Sequence, residues 1–415
     1  MTKLDDVYRD RWWRRVLQSR RPYFFERLRD RQDEERKNYL NIFSWFKDDI
    51  IYLLKWFVNS LIQIQKYGGV IRKKYNVSYH RQFTRMMYLA VVLRIRPIYF
   101  RKYRLFKQKN WEMVNSFAFA HAEVQREFSK KLFPEEIDLF LNKFLFHNFC
   151  KNHGVYSPEI LAAYENGQCL FLKNPDRQLP KKDLFIKKMN GMMGHGAQKL
   201  VYANGMYSDK KGNTYDEDAL FNFLKDCSLK KYPVLLQVVI KNHSSWMGFT
   251  SGALSTCRIV TCRYPDSQKI EPLFAAFRMP VGKMDVDNFS AGGLAAPVNT
   301  KNGILGKAVS SNPIQGNFEF TYHPDTNQKI EDAVIPGWNE MLDFAFDLHK
   351  KVRSAFVGWD ISLTEQGWCV VEGSLEWSLS TFESPYEAPF KNTVYPVLHE
   401  QWMEEGSTHH VKKYD

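Results

Sequence analysis

Two apolar segments near the C-terminal end, residues 358–364 and 367–374, each carry one carboxylate, Asp360 and Glu372, around the turn residues Glu365-Gln366-Gly367. Their alternation and that turn predict a β-hairpin in which Gly367 takes a positive φ. Side chains alternate across a strand, so Glu372 and Ser374 project to one face and Gly373 leaves room between them. Asp360, Glu372 and the Ser374 hydroxyl make an oxygen-only set, the chemistry of a site that holds magnesium together with nucleotide phosphates. Taken alone, the two carboxylates are equally well read as solvated strand residues.

Upstream, a strand at 184–186 runs into Lys187-Lys188 and then into 189–196, which contains Gly191, Gly194 and Gly196. Glycines after a strand let backbone amides approach phosphate oxygens, and a lysine at the strand end supplies a cation. The run matches neither GxxxxGKS/T nor GxGxxG, and a mobile hairpin is the competing reading. Gln237, Val238 and Val239 belong to an apolar strand whose terminal peptide groups can pair with an adenine edge; an ordinary core strand reads the same. Arg258 and Arg278 lie in strand-like segments, where a planar guanidinium binds phosphate or carboxylate bidentately or closes a structural salt bridge. Asp287 and Asn288 precede Gly292-Gly293, a grouping that positions a substrate or forms a loop of Asx turns. The histidines at 195, 243 and 323 lack metal-ligand spacing, and no GxSxG or Cys/His nucleophile arrangement is present.

The elements that must position these groups are of α+β type. Apolar residues recur at helical spacing from about 10 to 66 and again over 111–150, and helices are predicted near 217–226 and 337–353. Short strands are predicted at 184–186, 234–240 and 259–261, while the Asn, Gly and Pro of 301–335 predict loops or irregular strands. Six cysteines without CxxC spacing predict reduced thiols, with neither a zinc site nor a disulfide framework. The N-terminal residues lack a charged segment leading into an apolar one, so a cytoplasmic location is expected.

Charge is distributed unevenly. The chain carries net +13, yet residues 1–110 hold 27 Lys/Arg against 10 Asp/Glu, net +17, and the rest is net −4. Such an excess suits a polyanionic partner or a solvated helical face. The run 94–104 interleaves aromatics with Arg and Lys, which suits a helical domain whose core the aromatics pack beneath surface cations and, next to that, the inner face of an anionic membrane. Nucleic acid ranks behind it, because no nucleic-acid motif accompanies the charge. No apolar run reaches the ~18 to 20 residues that span a bilayer.

Taken in order, Lys143, the Lys187 to Gly196 segment, the strand at Gln237 and the hairpin with Asp360 and Glu372 resemble the ATP-grasp fold. More narrowly, Asn242-His243, 256–261, Asp287-Asn288 with Gly292-Gly293, Ile335-Pro336 with Trp338, Gly358-Trp359-Asp360 and Glu372-Gly373 resemble the sugar-transfer-associated ATP-grasp family. The resemblance covers about 136–380. Residues 1–110 lie outside it and are read, from charge and helical spacing, as a basic helical domain. The resemblance implies a lead-in at 111–180 that begins the ATP-grasp region and the ATP-grasp domain at 181–400, with a flexible tail at 401–415. It also implies ATP between two α+β subdomains, with Lys143 and Lys187 on its phosphates, Gly191, Gly194 and Gly196 over them, and Gln237, Val238 and Val239 facing adenine. Asp360, Glu372 and Ser374 would hold magnesium, and Arg258 and Arg278 would orient a carboxylate or the transferring phosphoryl group. Asp287, Asn288, Gly292 and Gly293 would contact substrate. The implied activity is ligation of a carboxylate to an amine through an acyl phosphate, with sugar-linked substrates in polysaccharide or related conjugate biosynthesis. The sequence departs from the family at Ser374, where the last metal ligand is usually Asn. That departure keeps open an ATP-binding protein with impaired catalysis, beside a kinase acting on a sugar or lipid.

Overall fold

Asn166-Gly167 and Asn204-Gly205, with every one of these residues at positive φ, close two tight hairpins in a computed structural model that describes residues 3–18, 39–119, 122–190, 197–250 and 252–411. The first joins β1 (Ile160–Glu165) to β2 (Gln168–Leu172); the second joins β4 (Gln198–Ala203) to β5 (Met206–Ser208). With β3 (Leu184–Lys188), β6 (Thr214–Tyr215) and β7 (Val234–Val238) they form a seven-stranded sheet of order β2-β1-β7-β3-β4-β5-β6. The helix Glu217–Lys230 starts where the Asp216 side chain accepts the Ala219 N–H at 2.8 Å. It buries Leu220, Phe221 and Leu224 against Leu161, Leu184 and Leu236 of the sheet.

A second sheet carries β8 (Thr256–Arg263), β9 (Ile270–Met279), β10 (Leu294–Pro297), β13 (Phe356–Thr364) and β14 (Gly367–Ser374), in the order β10-β9-β8-β13-β14 with antiparallel neighbours. The hairpin at 358–374 forms as expected, with Gly367 at φ 101°. The helix Trp338–Lys350 lies against β8, β9 and β13 and buries Met341, Ala345 and Leu348. The first sheet and these five strands of the second belong to one compact unit, 128–308 with 320–377, and the α+β class read from the sequence holds for it.

The other unit comprises 1–127, 309–319 and 378–415. Its boundaries differ from the expected 1–110, 111–180, 181–400 and 401–415, because two later segments return to the N-terminal helices. The hairpin of β11 (Ala308–Ile314) and β12 (Asn317–Phe320) supplies Phe318 to a core with Leu89, Phe100, Phe106 and Phe117. Trp12 of the helix Lys3–Gln18 meets Tyr395 edge-on at 5.7 Å, and Arg15 bonds Glu400 at 2.8 Å. Within the stretch expected as a flexible tail, residues 401–411 continue the helix Tyr395–Val411.

The basic run 94–104, expected at a charged surface, lies largely inside this unit. Phe100, Arg101, Tyr103 and Arg104 are each at most 4 % exposed. Arg104 donates to the Ser384 carbonyl at 2.7 Å and to Glu387 at 2.9 Å, and Lys107 bonds Glu319 and Glu387, each at 2.7 Å. Burial would raise the Glu387 carboxyl, but Arg104 and Lys107 hold it down to about 2. Acidic residues distant in sequence therefore pair with part of the N-terminal charge. No helix among the described residues is long and apolar enough to cross a membrane.

Gly358 is fixed by close approach rather than by φ: a Cβ there would stand 2.4 Å from Cβ of the buried Trp377. We expect Gly358→Ala to lower stability by about 1–3 kcal/mol through overpacking, measured by urea unfolding. A change within about 0.5 kcal/mol, the range of an ordinary surface substitution, would contradict this packing.

Candidate functional site

Register places the charged residues of the second sheet in a row. Arg258 on β8 stands opposite Asp360 on β13, and Asp360 stands opposite Glu372 on β14. Directly paired residues share a face, as do residues two apart on one strand. Thr256, Arg258, Arg278, Asp360, Glu372 and Ser374 therefore project together, since Thr256 pairs with Arg278 and Gly358 with Ser374. Trp359 and Ile361, buried, alternate onto the opposite face.

Asp360, 4 % exposed, has both oxygens engaged. Arg258 grips it bidentately, Nε to Oδ1 at 2.6 Å and Nη2 to Oδ2 at 2.7 Å, and Arg278 adds a bond to Oδ2 at 2.8 Å. Burial opposes ionisation, but Arg258 and Arg278 hold the carboxyl down to about 2. The same pairing raises Arg258 against the effect of its own burial. Arg278 also donates to the Thr256 hydroxyl at 3.0 and 2.6 Å, and that hydroxyl donates to Asp287. Asp287 lies 3.3 Å from Arg278, and burial pushes its carboxyl up against the pull of that arginine.

Asn288, Gly292 and Gly293 build the turn that brings Asp287 there. The Asn288 carbonyl accepts the Gly293 N–H at 3.1 Å, Gly292 has φ 112°, and a Cβ on Gly293 would meet the Asp287 carbonyl oxygen at 2.8 Å. Thr256, the hydroxyl that links Arg278 to Asp287, was not singled out from the sequence. Its signal is its position two residues before Arg258 on the same strand.

Glu372 is more open. Its side chain is 30 % exposed and lies 3.1 Å from Lys143 Nζ, whose side chain is 21 % exposed. Asn142 caps the helix Lys143–Asn152 by accepting from Phe144 and Leu145 at 2.9 and 3.2 Å, which sets Lys143 at its first turn. The Lys143 N–H also bonds the Met189 carbonyl at 3.0 Å, next to the end of β3. Half-buried Lys187 on β3 has its ammonium pushed down by burial, with Glu372 pulling up and Lys143 pressing down. Ser374 Oγ accepts the Glu376 N–H at 3.2 Å. Gly191, Gly194 and Gly196 lie outside the described residues.

Gln237 is an interior residue of the first sheet, paired with Ile160 and Phe185. Its Nε2 reaches the Pro158 carbonyl at 3.5 Å, and its buried Oε1 has no partner. The Val238 and Val239 N–H groups donate to the Glu159 and Asp183 carbonyls at 3.3 and 3.1 Å, so both are already committed within the protein.

Magnesium keeps several waters and takes one or two carboxylates beside substrate phosphates. Glu372, with Asp360 directly across and the Ser374 hydroxyl on the same face, fits that demand. Glu372 is the accessible member, and Asp360 is already neutralised by guanidinium. Among the described residues no group of three or more His, Cys, Asp and Glu side chains forms an all-protein metal cage.

Residues 123–397 match the model of a family described as sugar-transfer-associated ATP-grasp. No curated protein matches the chain. Among solved structures, D-alanine–D-alanine ligase from Bacillus anthracis complexed with ATP is similar at 11 % identity and TM-score 0.38, over 65 % of this chain and 68 % of that one. The ATP-grasp ligase PsnB, complexed with minimal precursor, Mg and ADP, is similar at 12 % and 0.34, over 64 % and 59 %. N5-carboxyaminoimidazole ribonucleotide synthetase from Thermotoga maritima is similar at 12 % and 0.30, over 58 % and 43 %. At these identities and scores no substrate or partner transfers from them.

Asp360→Asn leaves two buried guanidinium groups without their shared anion, and we expect it to cost about 3–5 kcal/mol near neutral pH. The carboxyl is held at about 2 against an ordinary 3.8, so its contribution is present above 3.8 and is lost as pH falls toward 2. The wild-type advantage over Asp360→Asn in urea unfolding should accordingly shrink by about 2 kcal/mol across that window. An advantage that stays constant down to the lower limit would contradict the pairing.

Proposed function

Because the chain belongs to the sugar-transfer-associated ATP-grasp family, we propose that it is an ATP- and magnesium-dependent ligase joining a carboxylate to an amine. The observation that carries this reading is the accessible Lys143–Glu372 pair beside the buried Arg258–Asp360–Arg278 cluster. On nucleotide binding Lys143 would turn to phosphate, and Glu372 would be left to hold magnesium. That exchange replaces each opposite charge with another and so limits the desolvation cost. Lys187, whose charged form burial disfavours, gains a phosphate partner that favours that form. The glycines at 191, 194 and 196 are proposed to lie over the phosphates, and a backbone carbonyl after Gln237 to accept from the adenine amino group, since the Val238 and Val239 N–H groups are already committed.

Of the two arginines, Arg258 is the one that substrate can reach, at 14 % side-chain exposure against 6 % for Arg278. We assign Arg258 to the carboxylate or the transferring phosphoryl group and Arg278 to positioning, through Asp360 and Thr256. The substrate carboxylate oxygen attacks the γ-phosphorus, ADP leaves, and an acyl phosphate forms. An amine nitrogen then attacks the acyl carbon, phosphate departs, and the nitrogen loses a proton. Held cations and oriented donors supply most of the rate enhancement in such a transfer, without a protein nucleophile. Bound magnesium neutralises charge on the phosphate oxygens. The family's sugar context supports substrates that are sugar-linked, in polysaccharide or related conjugate biosynthesis.

Ser374 favours a second reading, an ATP-binding protein with weakened catalysis, because its short hydroxyl already accepts from the backbone of Glu376. Mass spectrometry of products from a panel of carboxylates and amines with ATP separates the two. Ligated product with ADP supports the ligase, and nucleotide binding without turnover supports the second. A stable phosphorylated product formed without amine would instead mark a kinase. We expect Glu372→Gln and Lys187→Ala each to lower ADP formation by about 100-fold or more, and Ser374→Asn to lower the magnesium concentration required. Unchanged turnover in Glu372→Gln would contradict the metal assignment.

A further inference from the structure

The helix Tyr39–Gln63 carries an apolar stripe that the site above does not use. Ile50, Ile51, Leu54, Phe57, Val58 and Leu61 are 44 to 60 % exposed, and their spacing puts them on one face. The opposite side is anchored: Ser60 is fully buried, donating to the Trp56 carbonyl at 2.8 Å and touching Met87 Sδ at 3.9 Å. An exposed face of this kind marks a binding surface.

Its charge identifies what covers it. Exposed Lys55 borders the stripe beside Ile51 and Val58, and exposed Lys47 and Lys66 lie toward its two ends. Over 47–74 the cations are Lys47, Lys55, Lys66, Arg72, Lys73 and Lys74, and the acidic residues are Asp48 and Asp49, of which Asp49 is buried. A second copy would bring the same excess of cations along both stripes, with Asp48 the one exposed carboxylate over 47–74 to offset them. At a bilayer surface the lysine stem instead packs along the apolar face while the ammonium reaches a headgroup phosphate. The helix is too interrupted by charge to span, so it would lie in the plane of the interface.

We propose that this face of the helix Tyr39–Gln63 binds the surface of an anionic bilayer, with the stripe at the acyl boundary and Lys47, Lys55 and Lys66 at the phosphates. The proposal is independent of the ligase reading. It also shifts the membrane contact expected of the N-terminal region away from the buried run at 94–104.

The test is co-sedimentation of the full chain with phosphatidylcholine vesicles, with and without phosphatidylglycerol. We expect binding to the anionic vesicles that weakens with salt. Leu54→Ser with Val58→Ser should reduce it about tenfold or more, and Lys55→Ser should weaken it at low salt. Leu229→Ser, on an exposed leucine of the helix Glu217–Lys230, should leave it unchanged. Absence of wild-type binding at low salt, or undiminished binding by the double variant, would overturn the proposal. A dimer in sedimentation that the double variant abolishes, without vesicle binding by wild type, would assign the stripe to a second copy and overturn it as well.

Discussion

Asp360 is a buried anion shared by two arginines, and the geometry of the second sheet's polar face depends on that sharing. A carboxylate removed from water costs several kcal/mol unless opposite charge and hydrogen bonds compensate it. Here Arg258 from β8 and Arg278 from β9 supply both. Three strands are locked in relative register by side chains as well as by backbone, because a one-residue slip would carry Asp360 to the opposite face. Thr256 and Asp287 complete the arrangement by occupying further donors of Arg278. The cluster thus gives two guanidinium groups fixed orientations before any substrate arrives, the preorganisation that charge-stabilising catalysis requires.

Glu372 stands one strand further out and behaves differently. Its partner Lys143 comes from a helix rather than the sheet, and both side chains retain solvent access. The buried anion maintains structure, while the accessible one can exchange partners. A magnesium–triphosphate complex needs both: rigid cations at a set distance, and a carboxylate free to leave its lysine. Ser374 is the weakest member of the proposed magnesium set, since its short hydroxyl already accepts the Glu376 N–H.

Much of this was legible in the sequence. The hairpin at 358–374, with its two carboxylates, follows from alternation and turn residues, and the strands at 184–186 and 259–261 from β-branched and aromatic enrichment. The Asn166-Gly167 hairpin carried an equally clear turn signal and went unread. What local pattern could not supply was pairing at long range. Asp360 and Arg258 are 102 residues apart, and nothing near either specifies the other. Thr256 escaped notice for the same reason, being meaningful only once β8 is set beside β9. The N-terminal charge misled by summation: Arg104 and Lys107 count as surface cations until Glu319 and Glu387 are brought to them by later segments of the chain. The same return of 309–319 and 378–415 explains why contiguous domain boundaries did not match the two compact units.

The central claim is that Glu372 is the exchangeable anion of a magnesium–nucleotide site, and that Asp360 primarily holds the arginines. Calorimetric titration of a non-hydrolysable ATP analogue, with and without magnesium, addresses it most directly. The account predicts that magnesium tightens binding to the wild type and that Glu372→Gln loses this increment while retaining magnesium-free affinity through Lys143 and Lys187. Equal affinity with and without magnesium in the wild type, or an undiminished increment in Glu372→Gln, would contradict it.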